Sequence, residues 1–194
     1  GIRKHLLDVK DIPLRGVHNY ENICAAIAAT SELVDSETQI QAIKNFKGVE
    51  HRLELVRELD GVKWYNDSIG TSPTRTIAGL NSFREKIVLI AGGYDKNLDY
   101  TPLVKPILKK VSKLILMGAT GPKIESAIIK ETADSKIVFP IYRVGNIEQA
   151  VKRAKAIAEK GEIVLFSPAS ASFDMFKNFE ERGEVFKRLV NDLK

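Results

Sequence analysis

The sequence is poor in the residues that build disulfides and metal sites. It contains one cysteine, Cys24, and three histidines among 194 residues, so it cannot form an internal disulfide or a cysteine-based zinc cluster. His5, His18 and His51 lie far apart, without the short spacing typical of metal ligands. We therefore expect a reducing compartment and no metal site within these residues.

Long apolar runs, secretion signals and blocks of like charge are also missing. No apolar run approaches the roughly 18 residues that a membrane-spanning helix requires, and no signal-peptide pattern opens the chain. These absences predict a cytoplasmic protein without a membrane partner. The formal charge of +5 is spread among acidic residues, which favours an anionic small substrate over nucleic acid. We expect a monomer.

What the sequence does contain is typical of a globular α/β protein. Hydrophobic residues make up 44% and charged residues 28%, as in ordinary globular domains. Residues 19–30 and 37–46 have helical spacing, and Ser36 with Gln39 resembles a capping box. Two short helices bury too little surface to be stable alone. They are therefore expected to be part of something larger.

From residue 51 onward the pattern changes to alternating strands and helices. Asp60-Gly61 between two alternating segments predicts a β-hairpin that ends at residue 66. Compact apolar runs follow at 86–93, 113–118, 137–142 and 162–168. Helices are predicted at 73–82, 101–110, 121–130, 147–160 and 180–192, with Gly161 as a left-handed cap. This order predicts a Rossmann-like α/β fold, with a mostly parallel sheet of about six strands flanked by helices.

Ligands of open parallel sheets bind beyond the carboxyl ends of the strands. That rule selects four loops, at 66–72, 92–99, 118–122 and 167–173. The shortest of them, "GATGP", is interpreted as a turn into a helix. The other three contain groups suited to an anion.

The loop "NDSIGTSPT" combines a Gly70 turn with Pro73 in the first turn of a helix that Ser72 caps. Ser68 and Thr71 would then lie beside free N–H groups at a positive helix end, a site for carboxylate or phosphate. The alternative is a well-capped helix with no ligand.

The other two loops offer similar choices. In "GGYDKNLD" the glycines allow a sharp turn and leave Lys96 over the sheet end, although a solvated lysine is the alternative. Neither nucleotide motif, G-x-G-x-x-G or G-x-x-x-x-G-K-[ST], is present there. In "SPASASFDMFKNFEERG", Ser172 is predicted to cap a helix that begins at Phe173, so that its hydroxyl and the Phe173 N–H grip a carboxylate. The alternative places Phe173, Phe176 and Phe179 in the core.

Five segments together resemble the Mur ligase family, and most closely its D-glutamate-adding members. They are "GVHNYENICAA" (16–26), "HRLELV" (51–56), "NDSIGTSPT" (66–74), "GGYDKNLD" (92–99) and "SPASASFDMFKNFEERG" (167–183). They follow the family's order through nearly the whole chain. The resemblance implies that residues 1–48 are the tail of a central ATP-binding domain and 49–194 the C-terminal, amino-acid-binding domain.

The resemblance also implies an activity. These enzymes phosphorylate the carboxylate of UDP-N-acetylmuramoyl-L-alanine with ATP and Mg²⁺, and D-glutamate attacks the acyl phosphate during peptidoglycan synthesis. By position, Asn19, Asn22, Arg52 and Asp67 match the ATP contacts. Thr71 and Lys96 match contacts to the amino acid's α-carboxylate, and Ser172, Phe173 and Phe179 those around its side-chain carboxylate. No catalytic residue or metal ligand is assigned within these residues.

Two differences from the family pattern affect these expectations. Ile69 and Ser72 stand where the family usually has Lys and Asn, which leaves the choice of amino acid less determined. The family's phosphate loop G-K-[ST] does not occur in these residues, so the chain alone is predicted to be inactive. The alternatives are another Mur-type amide ligase or a stand-alone binding module for an acidic metabolite. A dinucleotide-dependent oxidoreductase is disfavoured, because no G-x-G-x-x-G follows a strand.

Overall fold

The chain folds into two compact units, Gly1–Val49 and Glu50–Lys194. A computed structural model describes residues 4–134 and 138–194. Within the described ranges, no helix combines the length and apolar character needed to cross a membrane.

The first unit is helical, as predicted. A 3-10 turn at Val9–Asp11 precedes α1 (Val17–Thr30) and α2 (Ser36–Asn45). The predicted capping box is wrong by one residue, because the Asp35 carboxylate, not Ser36, accepts the Thr38 N–H at 2.8 Å. The Gln39 amide instead donates to the Ile27 carbonyl and the Thr30 hydroxyl, at 3.0 and 2.8 Å. Gln39 therefore joins the two helices rather than capping one.

The second unit is built on a six-stranded sheet in the order β1-β2-β6-β3-β4-β5. Its strands are β1 (Glu54–Leu59), β2 (Val62–Asn66), β3 (Ile87–Ala91), β4 (Val111–Leu116), β5 (Ile141–Arg143) and β6 (Ile163–Phe166). β1 pairs antiparallel with β2, and every other pairing is parallel. The predicted apolar run at 137–142 forms only the short β5, and residue 137 lies outside the described residues.

The hairpin forms where Asp60-Gly61 predicted it. These residues have φ of 54° and 77°, the left-handed pair that a type I′ turn requires. The alternation of the first segment is interrupted in β1, where the register shifts between Leu55 and Arg57 and Leu55 is 51% exposed. A bulge of this kind changes which face the side chains on either side of it occupy.

Among the described residues, five helices cover the sheet: α3 (Pro73–Asn81), α4 (Thr101–Lys110), α5 (Gly121–Thr132), α6 (Ile147–Ile157) and α7 (Phe179–Asn191). The buried face of α6 includes the predicted Ala150, Val151 and Ala154. The predicted cap at Gly161 is wrong, because α6 ends at Ile157. Gly161, with φ of 91°, instead donates its N–H to the Gly61 carbonyl at 3.0 Å. It belongs to the turn that leads into β6.

Alternate residues of the central strands pack into two different cores. In β3, Leu89 and Ala91 join a cluster with α3, α4 and α5, whereas Val88 and Ile90 join a cluster with α6 and α7. Burial on both faces is the reason that the strands read as continuous apolar runs. The predicted α/β fold, with a mostly parallel sheet flanked by helices, is confirmed.

Candidate functional site

The four predicted loops meet at one edge of the sheet. They follow β2, β6, β3 and β4, which are adjacent in that order and all parallel. Backbone hydrogen bonds connect neighbouring loops: the Gly92 N–H donates to the Pro168 carbonyl at 2.8 Å, and the Tyr94 N–H to the Ala171 carbonyl at 2.9 Å. The carboxyl ends of the strands therefore form one continuous surface of loops.

Asp67, the first residue after β2, is the buried carboxylate of this surface. Its Oδ2 accepts a hydrogen bond from the Ser167 hydroxyl at 2.6 Å, and its Oδ1 accepts one from the Leu53 N–H at 3.3 Å. Burial raises the pKa of Asp67 to about 7, although these hydrogen bonds and the positive charges of Arg52 and Arg75 act in the opposite direction. Asp67 is thus a carboxyl poised to exchange a proton near neutral pH.

The residues predicted to contact ATP are divided between the two units. Arg52 is exposed and Asp67 is buried in the sheet unit, where they interact electrostatically. Asn19 and Asn22 lie on α1 of the helical unit. The Asn19 side-chain amide donates to the Arg15 carbonyl at 2.6 Å, and Asn22 is exposed. Their joint role at a nucleotide stays a prediction.

The β2 loop differs from the prediction at two serines. Ser72 has the extended backbone of an N-cap residue at α3, but its hydroxyl makes no capping bond. Ser68 is buried and does not lie beside free N–H groups, because its hydroxyl donates to the Phe179 carbonyl at 2.7 Å and accepts from Arg182 at 3.1 Å. Thr71 is half-buried, as is Ser72.

Lys96 lies at the surface of the β3 loop, as predicted. Its Nζ is 5.4 Å from the centre of the Phe173 ring, which also packs edge-on against Tyr94 with 5.9 Å between ring centres. The neighbouring Asp95 pairs with Lys123 at 2.6 Å. Among the described residues Lys96 has no ion-pair partner, so its charge is available to an anion.

The β6 loop contains the largest error of the sequence interpretation. No helix begins at Phe173; residues 173–175 form a turn in which the Ser172 carbonyl accepts from the Met175 and Phe176 N–H groups at 3.0 and 2.9 Å. The helix begins instead at Phe179, capped by Asn178, whose side chain accepts the Glu181 N–H at 2.8 Å. Ser172 therefore caps no helix.

The alternative core placement of the aromatic residues is wrong for Phe173, whereas Phe176 packs against the core that α6 and α7 cover. Phe173 is 58% exposed, whereas Phe176 and Phe179 are half-buried. Phe173 therefore borders solvent beside Lys96, whereas Ser172, the residue before it, is buried at 2% exposure. Its ring and its N–H both remain candidates for a ligand contact.

Three buried hydroxyls that the sequence interpretation passed over connect the β3, β4 and β6 loops. The Ser170 hydroxyl is hydrogen-bonded to those of Tyr100 and Thr120, at 2.9 and 2.8 Å. Thr120 in turn accepts the Gly93 N–H at 2.9 Å. In the sequence, only the run of small polar residues after the strands indicates these hydroxyls. That run predicts closely packed loops but not which hydroxyls are hydrogen-bonded to each other.

A group of possible metal ligands borders the β2 loop, since the His51 carbonyl accepts the Ile69 N–H at 3.2 Å. Glu50, His51 and Glu184 each place one ligand atom within 4.8 Å of the others. Lys187 already donates to Glu50, and to Glu54 and Glu184 at 3.3 and 2.9 Å. A cation side chain therefore compensates these carboxylates, and the group does not fit a metal ion.

Comparison with known proteins identifies the family. The model for "Mur ligase, glutamate ligase domain" matches residues 51–170. A curated relative, the UDP-N-acetylmuramoylalanine–D-glutamate ligase of Acetivibrio thermocellus, is 55% identical over 185 residues, which are 94% of this chain and 40% of that protein. The chain thus spans about 40% of the length of the curated relatives that it matches.

Solved structures share the fold at low sequence identity. The UDP-N-acetylmuramate-alanine ligase of Thermotoga maritima superposes with a TM-score of 0.68 at 18% identity, covering 94% of this chain and 40% of that chain. The MurF ligase of Thermotoga maritima in complex with ADP gives 0.60 at 21% identity, covering 91% and 39%. Because the family model matches more than half of the residues, this chain belongs to the Mur ligase family and carries its glutamate ligase domain.

Proposed function

We propose that this chain is the C-terminal part of an ATP-dependent ligase that adds D-glutamate to UDP-N-acetylmuramoyl-L-alanine. The observation that carries the proposal is the 55% identity, over 94% of the chain, to a relative bearing that name. In this proposal residues 49–194 bind the amino acid. Residues 1–48 are the C-terminal tail of a central ATP-binding domain, and the rest of that domain is not among these 194 residues.

The amino-acid site is proposed on the β2, β3 and β6 loops. Thr71 and Lys96 are assigned to the α-carboxylate, and Ser172, Phe173 and Phe179 to the side-chain carboxylate. A dicarboxylate requires two separated anion sites, and the ammonium of Lys96 with hydroxyl and N–H donors supplies hydrogen-bond donors for both. The exposed Lys96 and Phe173 support this assignment, since both border solvent at the same loops.

The nucleotide side is proposed on Asn19, Asn22, Arg52 and Asp67. Arg52 suits a phosphate, because a guanidinium offers a planar pair of donors. Among the described residues, the group of Glu50, His51 and Glu184 does not fit magnesium, since Lys187 already pairs with its carboxylates. The metal ligands are therefore assigned to the absent domains.

In the proposed reaction this domain holds the attacking amine. The carboxylate of the nucleotide precursor is activated as an acyl phosphate, and the D-glutamate nitrogen forms the amide bond as phosphate leaves. Two anchored carboxylates restrict the amine to one orientation. Such positioning lowers the activation free energy by several kcal/mol. The residues of this chain supply that positioning and the neutralisation of the carboxylates.

The proposal predicts different behaviour for the complete protein and for this chain. The full-length protein, given ATP, magnesium, UDP-N-acetylmuramoyl-L-alanine and D-glutamate, should release ADP, with L-glutamate and L-lysine as negative controls. The 194-residue chain should release none, because it lacks the G-K-[ST] phosphate loop. ADP release with L-lysine in place of D-glutamate would favour another Mur-type ligase. Binding of an acidic metabolite by a full-length protein that releases no ADP would favour the binding module.

Replacement of Lys96 tests the α-carboxylate assignment. Lys96→Met should raise the KM for D-glutamate about 10- to 100-fold, since a charge-assisted bond contributes roughly 1.5–3 kcal/mol. The KM for ATP should stay within about 2-fold. Lys105→Met, on exposed α4 surface, is the matched control. A D-glutamate KM equal to that of the control would remove Lys96 from the site.

A further inference from the structure

Arg182 on α7 is a buried cation whose hydrogen bonds reach no carboxylate. Its side chain has 0% exposure, and burial lowers the pKa of the guanidinium to about 10, against the favourable but more distant charge of Asp174. In the part of the chain that the structure describes, all its hydrogen-bond acceptors are uncharged oxygens. Burying a charge of this kind costs free energy, which only well-placed hydrogen bonds offset. Its retention therefore indicates a specific role for those hydrogen bonds.

The acceptors of Arg182 belong to two of the loops at the carboxyl edge of the sheet. Nε donates to the Ser68 hydroxyl at 3.1 Å and Nη2 to the Ser68 carbonyl at 2.8 Å. Nη1 donates to the carbonyls of Ser170 and Ala171 at 3.1 and 2.8 Å. One rigid planar group thus binds the β2 loop on one side and the β6 loop on the other.

The two bound segments lead directly to the proposed substrate groups. Ser68 precedes Thr71 by three residues, and Ala171 is followed immediately by Ser172. The Ser68 hydroxyl also donates to the carbonyl of Phe179, the first residue of α7, at 2.7 Å. The guanidinium therefore controls the separation of groups assigned to opposite ends of the amino acid.

We propose that Arg182 is a positioning residue for the amino-acid site, which holds the loop of Thr71 and the loop of Ser172 at the separation that a five-carbon dicarboxylate requires. The inference rests on the proposed function. Lysine cannot replace the guanidinium, because a single ammonium lacks the planar fork that reaches Ser68 and Ala171 together. Loss of the fork should therefore affect D-glutamate and leave ATP unaffected.

The test compares Arg182→Lys with Arg188→Lys in the full-length protein. Arg188 is exposed on the same helix, so it controls for the exchange itself. We expect R182K to raise the KM for D-glutamate about 10-fold or more, since small misplacements of reacting groups have effects up to about 100-fold. The KM for ATP should remain within about 2-fold, a split that general loss of folded protein would not produce. R182K kinetics equal to those of R188K would overturn the proposal.

A second variant covers the case in which R182K does not fold. Ser68→Ala keeps Arg182 and removes one acceptor of its fork. It should raise the KM for D-glutamate about 3-fold or more without changing the KM for ATP; an unchanged D-glutamate KM would overturn the proposal. If the wild-type full-length protein consumes no D-glutamate, the proposed function itself fails. That result differs from an active wild type whose variants show an unchanged KM for D-glutamate, which would overturn only the role of Arg182.

Discussion

Gly92→Ala is expected to destabilise the sheet unit by about 3 kcal/mol or more, the combined effect of backbone strain and overpacking. Gly92 has φ of 106°, which residues with a Cβ rarely adopt. An added Cβ would also lie 2.0 Å from the Met117 carbonyl oxygen. The oxygen belongs to the backbone after β4, so the clash cannot be relieved by a side-chain rotation.

Gly161→Ala is the matched control, because it isolates the backbone strain. Gly161 has a similar φ of 91°, but no heavy atom lies within 4 Å of an added Cβ. Its cost should be about 1–2 kcal/mol. Urea unfolding followed by fluorescence of the single tryptophan, the buried Trp64, reports the sheet unit. Equal losses in the two variants would contradict the clash at Gly92.

The predicted damage has a functional meaning as well. Gly92 lets the β3 loop pass directly over the end of β4, and its N–H donates to the Pro168 carbonyl of the β6 loop at 2.8 Å. The glycine therefore holds together the loops that carry Lys96 and Ser172. Any Gly92→Ala protein that folds should bind D-glutamate poorly.

Asp67 should make the stability of the sheet unit decrease between about pH 4 and pH 7. Its folded pKa is raised to about 7 by burial, above the ordinary value near 4. The folded state therefore retains a proton that the unfolded chain releases. Its contribution is fully present below pH 4 and is lost as the pH rises through 7. A difference of about three pH units corresponds to at most about 4 kcal/mol.

Asp67→Asn removes this titration. The difference in unfolding free energy between pH 5 and pH 8 should be smaller in the variant than in the wild type by about 2–3 kcal/mol. Asp99→Asn is a control of opposite sign, since hydrogen bonds from Thr101 lower the pKa of the exposed Asp99. Its contribution is lost only as the pH falls through that lowered value, so its slope between pH 5 and pH 8 should match the wild type. An unchanged slope in Asp67→Asn would contradict the raised pKa.

Local patterns predicted the elements of the fold well. The Asp60-Gly61 turn, the apolar strands and the helices after each strand all appeared near their expected positions, because backbone preferences and burial periodicity act over a few residues. The misplaced ends have local causes too: Asp35 replaced Ser36 as a cap, and α6 ended before Gly161. The start of α2 depends on competition between Asp35 and Ser36 for the same free N–H groups.

The site was predicted less completely, and the errors follow one principle. Loops rich in small polar residues were correctly placed at the sheet edge, yet Ser68 and Ser172 were given roles at free helix ends that they do not have. The partner of Ser68 is Arg182, 114 residues away in sequence, and Asp67 meets Ser167 at a separation of 100 residues. Sequence spacing carries no information on such pairs.

By itself, the sequence determined the α/β alternation, the hairpin, the four loops at the carboxyl ends of the strands and the motifs that indicate the Mur ligase family. These properties depend on residue type and on neighbours a few positions apart. Only the tertiary structure decided which hydroxyls are buried, why the pKa of Asp67 lies near 7, and that Arg182 joins two loops. Those properties arise from desolvation and from hydrogen bonds between distant segments, which exist only once the sheet has brought the strand ends together.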